Sequence, residues 1–208
     1  FGGTLGDVDK LRQLPRLPET ADELYLMAKT LGAARETVYL QELASETKVK
    51  GTRLDGSKVV AFSTHGLISG ELKGLAESAL VLTPPDVGTE TDDGLLTASE
   101  IAQLKLNADW AILSACNTAS GDSPGAPGLS GLARAFFYAG ARALLVSHWP
   151  VETQSTTALI THLFETMKGD PSLGRAEALR RSMLELLKTE RTAHPLFWAP
   201  FVVVGKGA

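Results

Sequence analysis

Apolar residues along this chain follow two rhythms. The first is a set of short, unbroken runs: Val59-Val60-Ala61-Phe62, Trp110-Ala111-Ile112-Leu113, Ala143-Leu144-Leu145-Val146 and Phe201-Val202-Val203-Val204. Continuous runs rather than alternating ones are expected of strands covered on both faces. They predict strands over Lys58–Thr64, Asp109–Ala115, Arg142–Ser147 and Phe201–Val204. Ser78–Thr83, closed by Pro84-Pro85, reads as another strand, and the β-rich Thr37-Val38-Tyr39-Leu40 as a short one. The second rhythm is helical. Leu24, Leu26, Met27 and Leu31 fall near one face of a helix capped by Thr20 or Asp22 and stopped by Gly32. Ala44–Gly51 reads as a brief helix with Ser45 or Thr47 as its cap. Thr97 and Glu100 form a capping box. Leu129–Tyr138, ended by Gly140, and the amphipathic Glu152–Met167 and Ser172–Leu187 complete the helices, the last two divided by Gly169-Asp170-Pro171. Phe1–Pro18, Gly66–Glu77 and Asp86–Gly94 read as irregular. Strands that alternate with helices predict an α/β sandwich with a mainly parallel sheet. With neither an internal repeat nor a second core in the pattern, 1–208 reads as one domain.

Composition narrows the function. With 208 residues the chain is long enough for one substantial core, and 44% hydrophobic with 21% charged residues is an ordinary globular balance. A formal charge of −4 and scattered basic residues argue against nucleic acid as a partner. No apolar run approaches the roughly 20 residues that span a bilayer, so no membrane partner is expected. The single cysteine excludes an internal disulfide and a cysteine-based zinc site. The four histidines lie far apart, none paired at helix ligand spacing, so neither metal nor cofactor is implied. A free thiol fits a reducing compartment, and a cytoplasmic location is the expectation.

The chemistry concentrates at two strand ends. Ser63-Thr64-His65-Gly66 follows one buried run and Ser114-Ala115-Cys116-Asn117-Thr118 another. If those strands are parallel neighbours, His65 and Cys116 emerge at one edge of the sheet, beyond the carboxyl ends where sites of such sheets lie. Taken singly, a cysteine behind a buried strand is more often a small core residue, and a lone histidine is more often structural. Together they suggest a pair for nucleophilic catalysis. Their separation, 116 − 65 = 51 residues, is close to the spacing of about 50 found in caspases. Backbone N–H groups beyond the strand ends could hold an oxyanion and favour a thiolate, and Gly66 lets its own N–H approach a carbonyl.

Rival motifs fare worse. Gly121-Asp122-Ser123-Pro124-Gly125 matches the Gly-x-Ser-x-Gly pattern, but Pro124 lacks the N–H that the residue after such a nucleophile must donate. The glycines between 125 and 131 precede a helix without the lysine or the spacing of a phosphate loop. His148, before Trp149-Pro150, borders the same strand edge, and packing is its simpler role. His162 and His194 read as structural or exposed. Trp149 is a candidate wall for a substrate pocket. Glu71, Asp122 and Glu152 are the acidic residues near this edge that could read a basic side chain. The glycine-rich loop Asn117–Gly128, next to the nucleophile, is expected to order on activation or to be cut during maturation.

These residues also carry a family resemblance. Residues 59–66 (Val-Val-Ala-Phe-Ser-Thr-His-Gly) and 111–118 (Ala-Ile-Leu-Ser-Ala-Cys-Asn-Thr) resemble the histidine and cysteine motifs of CHAT domains, caspase-like domains commonly attached to tetratricopeptide repeats in bacteria. The likeness continues through 93–101, 131–136, 140–151 and 194–205, and covers nearly all the chain from Leu17 onward. It implies a three-layer α/β/α caspase-like sandwich and a cysteine endopeptidase acting on protein or peptide substrates, with repeats in the same full-length protein. By matching position, Cys116 is the nucleophile, His65 the acid/base, and the N–H groups of Gly66 and Cys116 the oxyanion hole. Asn117 departs from the family's usual glutamate. The resemblance also implies a central first strand before the Leu17 region, for which only Phe1-Gly2-Gly3 could stand. A catalytically silent interaction or signalling module is the alternative.

Overall fold

The computed structural model describes residues 6–115, 131–149 and 151–207. Its main sheet has four strands, β1 (Val59–Ser63), β5 (Trp110–Ser114), β6 (Ala143–Ser147) and β7 (Phe201–Gly205), in the order β1-β5-β6-β7. The first three are parallel, and β7 closes the far edge antiparallel to β6. A smaller antiparallel sheet holds β2 (Gly66–Leu67), β3 (Ala79–Val81) and β4 (Leu95–Thr97). The helices are α1 (Val8–Arg12), α2 (Glu19–Leu31), α3 (Glu46–Gly51), α4 (Ala98–Ile101), α5 (Leu132–Ala139), α6 (Thr153–Gly169) and α7 (Arg175–Leu186).

The unbroken apolar runs are explained by what covers them. All five residues of β5 are buried. Trp110 and Ile112 pack with Met27, Leu159, Ile160, Leu163 and Ala178 in the layer of α2, α6 and α7. Ala111 and Leu113 pack on the other face with Ile101, Leu132 and Phe136, in the layer of α4 and α5. The result is a three-layer caspase-like α/β/α sandwich with a mainly parallel central sheet. Each fully buried Ile or Leu here contributes roughly 1.5–3 kcal/mol.

Local signals set most boundaries. Gly32, at φ +70°, ends α2, and the N–H of Ala33 reaches back to Ala28 O at 2.8 Å. Ser45 caps α3, and the Thr97–Glu100 capping box opens α4. Gly140, at φ +109°, turns the chain from α5 to β6, and a Cβ there would lie 2.3 Å from Leu106 O.

Several expectations are corrected. α2 starts at Glu19 with Pro18 before it and no side-chain cap, while the Thr20 hydroxyl turns back to Leu17 O. Leu26 and Leu31 lie on its partly exposed side. Residues 8–12, read as irregular, form α1, because Asp7 caps them and Leu11 inserts among Leu75, Ala79, Val81 and Leu95. β2 and β4 are two and three residues long, too short for a periodic pattern, and they carry β3 into the small sheet. Thr37–Leu40 is not a strand: Arg35–Thr37 is a turn of 3-10 helix and the rest is extended but unpaired. A cavity of about 890 Å³, lined by Thr37–Gln41 on one side and Val59–Thr64 on the other, separates it from β1. β propensity describes a fit to a pleated surface and forms no strand without a neighbour. The expected first strand at Phe1-Gly2-Gly3 and the loop Asn117–Gly128 lie outside the described residues.

Candidate functional site

β1 and β5 run in step, from Val59 opposite Trp110 to Ser63 opposite Ser114. The N–H of Thr64 donates to Ser114 O at 3.3 Å, extending the contact one residue past β1. His65 comes next, two residues past the end of β1. On the other strand Ala115 leads into Cys116, which lies outside the described residues together with Asn117 and Asp122. The parallel pairing brings His65 and the strand that delivers the cysteine to one edge of the sheet.

His65 is partly buried, and its Nε2 lies 2.7 Å from the carbonyl oxygen of Pro15. A carbonyl only accepts, so this partner assigns the proton to Nε2 and leaves Nδ1 as the nitrogen able to take one. Pro15 lies between α1 and α2, in sequence that reads as irregular. Its contribution is a backbone oxygen, for which no side-chain pattern is a signal.

Gly66 opens β2 and stands opposite Leu80 of β3. The N–H of Val81 donates to His65 O at 2.9 Å, which makes Gly66 and Leu80 a pair that exchanges no ladder bonds. The Gly66 N–H is therefore turned away from β3. On the neighbouring strand, the buried Ser147 hydroxyl at the end of β6 donates to Ala115 O at 2.6 Å, holding the residue before the cysteine.

Beneath this edge, α2 places the Glu23 carboxyl against β1 and β5. The Ser63 hydroxyl donates to Glu23 Oε2 at 2.8 Å, and Ser114, level with Ser63, is a second polar neighbour. Burial pushes the Glu23 carboxyl above the usual carboxylate range, while the two hydroxyls oppose the shift. The helical pattern carries a signal for it: Glu23 lies four positions before Met27, on the face that turns inward.

Trp149 stands just past β6 with its ring 6.4 Å from that of His148, and its indole Nε1 is buried without a hydrogen-bond partner among the described residues. Glu152 caps α6, its two oxygens accepting from Gln154 N, Ser155 N and the Ser155 hydroxyl. Its pKa is lowered: burial opposes that direction, and the bonds from Ser155 and Gln154 with the charge of Arg191 overcome it. Glu71 accepts from Ile68 N at 2.8 Å within its own turn. His194 caps the 3-10 turn Pro195–Phe197 through Nδ1, and His162 on α6 faces Glu165 at 3.9 Å.

Comparison with known proteins places this geometry in context. A family model described as the CHAT domain matches residues 4–206. The chain belongs to the CHAT domain family. This CHAT domain is similar to tetratricopeptide repeat protein 28 of Mus musculus, at 27% identity over 91% of the chain, and to its Homo sapiens counterpart at 26% over 91%. The match spans 8% of the length of each relative. The relatives carry tetratricopeptide repeats in their names, in keeping with the association of CHAT domains with such repeats. Both are mammalian, so they lend no support to the bacterial setting that the resemblance implied. Among the described residues, no helix of the CHAT domain is long and apolar enough to cross a membrane.

Proposed function

We propose that this CHAT domain is a cysteine endopeptidase that cleaves protein substrates with Cys116 as nucleophile and His65 as acid/base, under the control of attached repeats or a partner. The observation that carries the reading is the placement of His65. It sits at the sheet edge shared with the cysteine strand, its Nε2 tied to Pro15 O at 2.7 Å and Nδ1 left free to manage a proton. In the proposed sequence, His65 takes the thiol proton and Cys116 Sγ attacks the peptide carbonyl carbon. The resulting oxyanion is held by the N–H groups of Gly66 and Cys116. As the C–N bond breaks, the imidazolium returns its proton to the departing amine. Water, deprotonated by His65, then attacks the acyl-enzyme and releases the acid and the thiolate. The Pro15 carbonyl steadies the imidazolium throughout. Trp149 is the proposed pocket wall, whereas Glu152 shapes that rim through the start of α6, its oxygens being engaged there.

The test is a peptide-library cleavage profile of the domain attached to its repeats, with Cys116→Ala and His65→Ala beside it. Both variants should lose cleavage while keeping the wild-type circular dichroism spectrum. Turnover unchanged in Cys116→Ala would remove the assignment, and a wild-type protein that cuts nothing would favour the silent-module reading.

A further inference from the structure

We propose that Glu23 is a positioning residue for the dyad, a buried acceptor on α2 that ties down the carboxyl end of β1, whose register with β5 sets His65 against the cysteine strand. The proposal rests on the dyad reading above and adds a residue that neither the motifs nor the family resemblance singles out.

Its ground is geometric. Glu23 is 2% exposed, and covering a carboxyl so fully is costly unless something nearby requires it. Of its two oxygens, Oε2 receives the Ser63 hydroxyl at 2.8 Å, whereas Oε1 has no hydrogen-bond partner among the described residues. No salt bridge joins Glu23 to a described basic residue, so charge pairing does not account for its place. The structure around it does. Ser63 and Ser114 are register partners, and each stands two residues before a member of the dyad. His65 lies two residues past the end of β1, and the hydrogen bond of its Nε2 to Pro15 O turns the imidazole toward the segment that enters α2. The Pro15 carbonyl that holds the imidazole belongs to the segment entering α2. One helix thus supplies the tie on the end of β1, and its approach supplies the tie on the imidazole. A displaced helix start would disturb both together. Groups that act through a reacting pair in this manner commonly change rates by about 10- to 100-fold.

The experiment measures the alkylation rate of Cys116 by iodoacetamide in the full chain, so it needs no known substrate. The panel is wild type, His65→Ala, Glu23→Leu, Glu23→Gln and Ser63→Ala, each with its melting temperature. His65→Ala should slow alkylation, which establishes the dyad. Glu23→Leu should slow it about tenfold or more while its melting temperature stays within about 4 °C of wild type. Glu23→Gln keeps an acceptor without the charge and should remain within about twofold of wild type. Ser63→Ala, the mildest change to the packing, should fall between the two and stands in if Glu23→Leu does not fold. A slow His65→Ala with Glu23→Leu and Ser63→Ala at the wild-type rate would overturn the positioning role and leave the dyad standing. Glu23→Gln as slow as Glu23→Leu would overturn the acceptor role by showing that charge is what matters. Alkylation indifferent to His65→Ala would overturn the dyad reading and this proposal with it.

Discussion

Among the described residues, two carboxyl groups are almost wholly removed from water, Glu23 at 2% and Glu46 at 1% exposure, and their surroundings differ in kind. Glu46 opens α3 inside a complete set of charged and backbone donors. Lys50 Nζ meets its Oε1, and the N–H groups of Asp93 and Gly94 reach Oε2 at 2.9 and 3.2 Å. Lys50 also bonds Glu100 at 2.6 Å and Thr91 O at 3.0 Å, so one cation and two carboxylates pin the 91–94 turn to α3. Among the described residues, Glu23 has the Ser63 hydroxyl, no cation and one unpartnered oxygen. The contrast separates two uses of a buried acid. A carboxyl group whose oxygens are both engaged holds architecture, and losing it leaves two backbone N–H groups unsatisfied at once. A half-answered one contributes little to stability and is retained for where it sits.

The largest effect that would test this contrast is on stability at the first region. Glu46→Ala strips one of the three acceptors from Lys50 and the acceptor from two backbone N–H groups, and should cost about 2–4 kcal/mol in urea unfolding, with Cys116 alkylation unchanged. A loss below about 1 kcal/mol would erase the distinction between the two sites.

Next comes pH. Burial, aided by the charge of Glu100, pushes Glu46 up to about 7 from an ordinary 4.5, against the pull of Lys50 and the Asp93 N–H. The folded protein therefore binds more protons than the unfolded chain between pH 4.5 and about 7. The stability that this group supplies is full below 4.5 and is lost as pH rises through about 7. The decline should be on the order of 2 kcal/mol across that window. Glu46→Gln should flatten the decline, and denaturant midpoints measured from about pH 4.5 to about pH 8 would read it. Glu23, also pushed up by burial, adds to it in the same direction.

Thr97→Ala probes the edge of the first network, since Thr97 caps α4 and bonds the Glu100 that Lys50 holds. About 1 kcal/mol should be lost, visible as a lower melting temperature. The smallest effect is expected at the second region, where Glu23→Gln should change stability by less than about 1 kcal/mol. A larger loss would make Glu23 as architectural as Glu46.

Much of the site is legible in the sequence because strand ends announce themselves. Val59–Phe62 and Trp110–Leu113 run unbroken into polar residues, and parallel pairing alone carries the residues beyond them to one edge. The capping box at Thr97 and the stop at Gly32 are equally plain. The silent parts have physical causes. A backbone carbonyl, as at Pro15, has no side-chain signature. The helical period sets Glu23 on the inward face of α2, but its bond to Ser63 shows only once the strand beneath is known. Thr37–Leu40 has strand composition, yet composition cannot report that a cavity lies where the neighbouring strand would be. The strand that leads to the cysteine stands where its apolar run predicts it, while the cysteine itself lies outside the described residues.

The in-step pairing of β1 with β5 also governs tolerance to insertion. β5 is packed on both faces, with Trp110 and Ile112 fitted to one helix layer and Ala111 and Leu113 to the other. Adding a single residue to β5 would exchange the two faces, sending an indole into a space shaped for a methyl group. Drift in the height of the cysteine strand is thus coupled to failure of the whole core. The geometry of a few polar atoms at the rim is proofread by the hydrophobic interior, and chains in which it slips should be lost as unfolded protein before they could persist with a displaced rim.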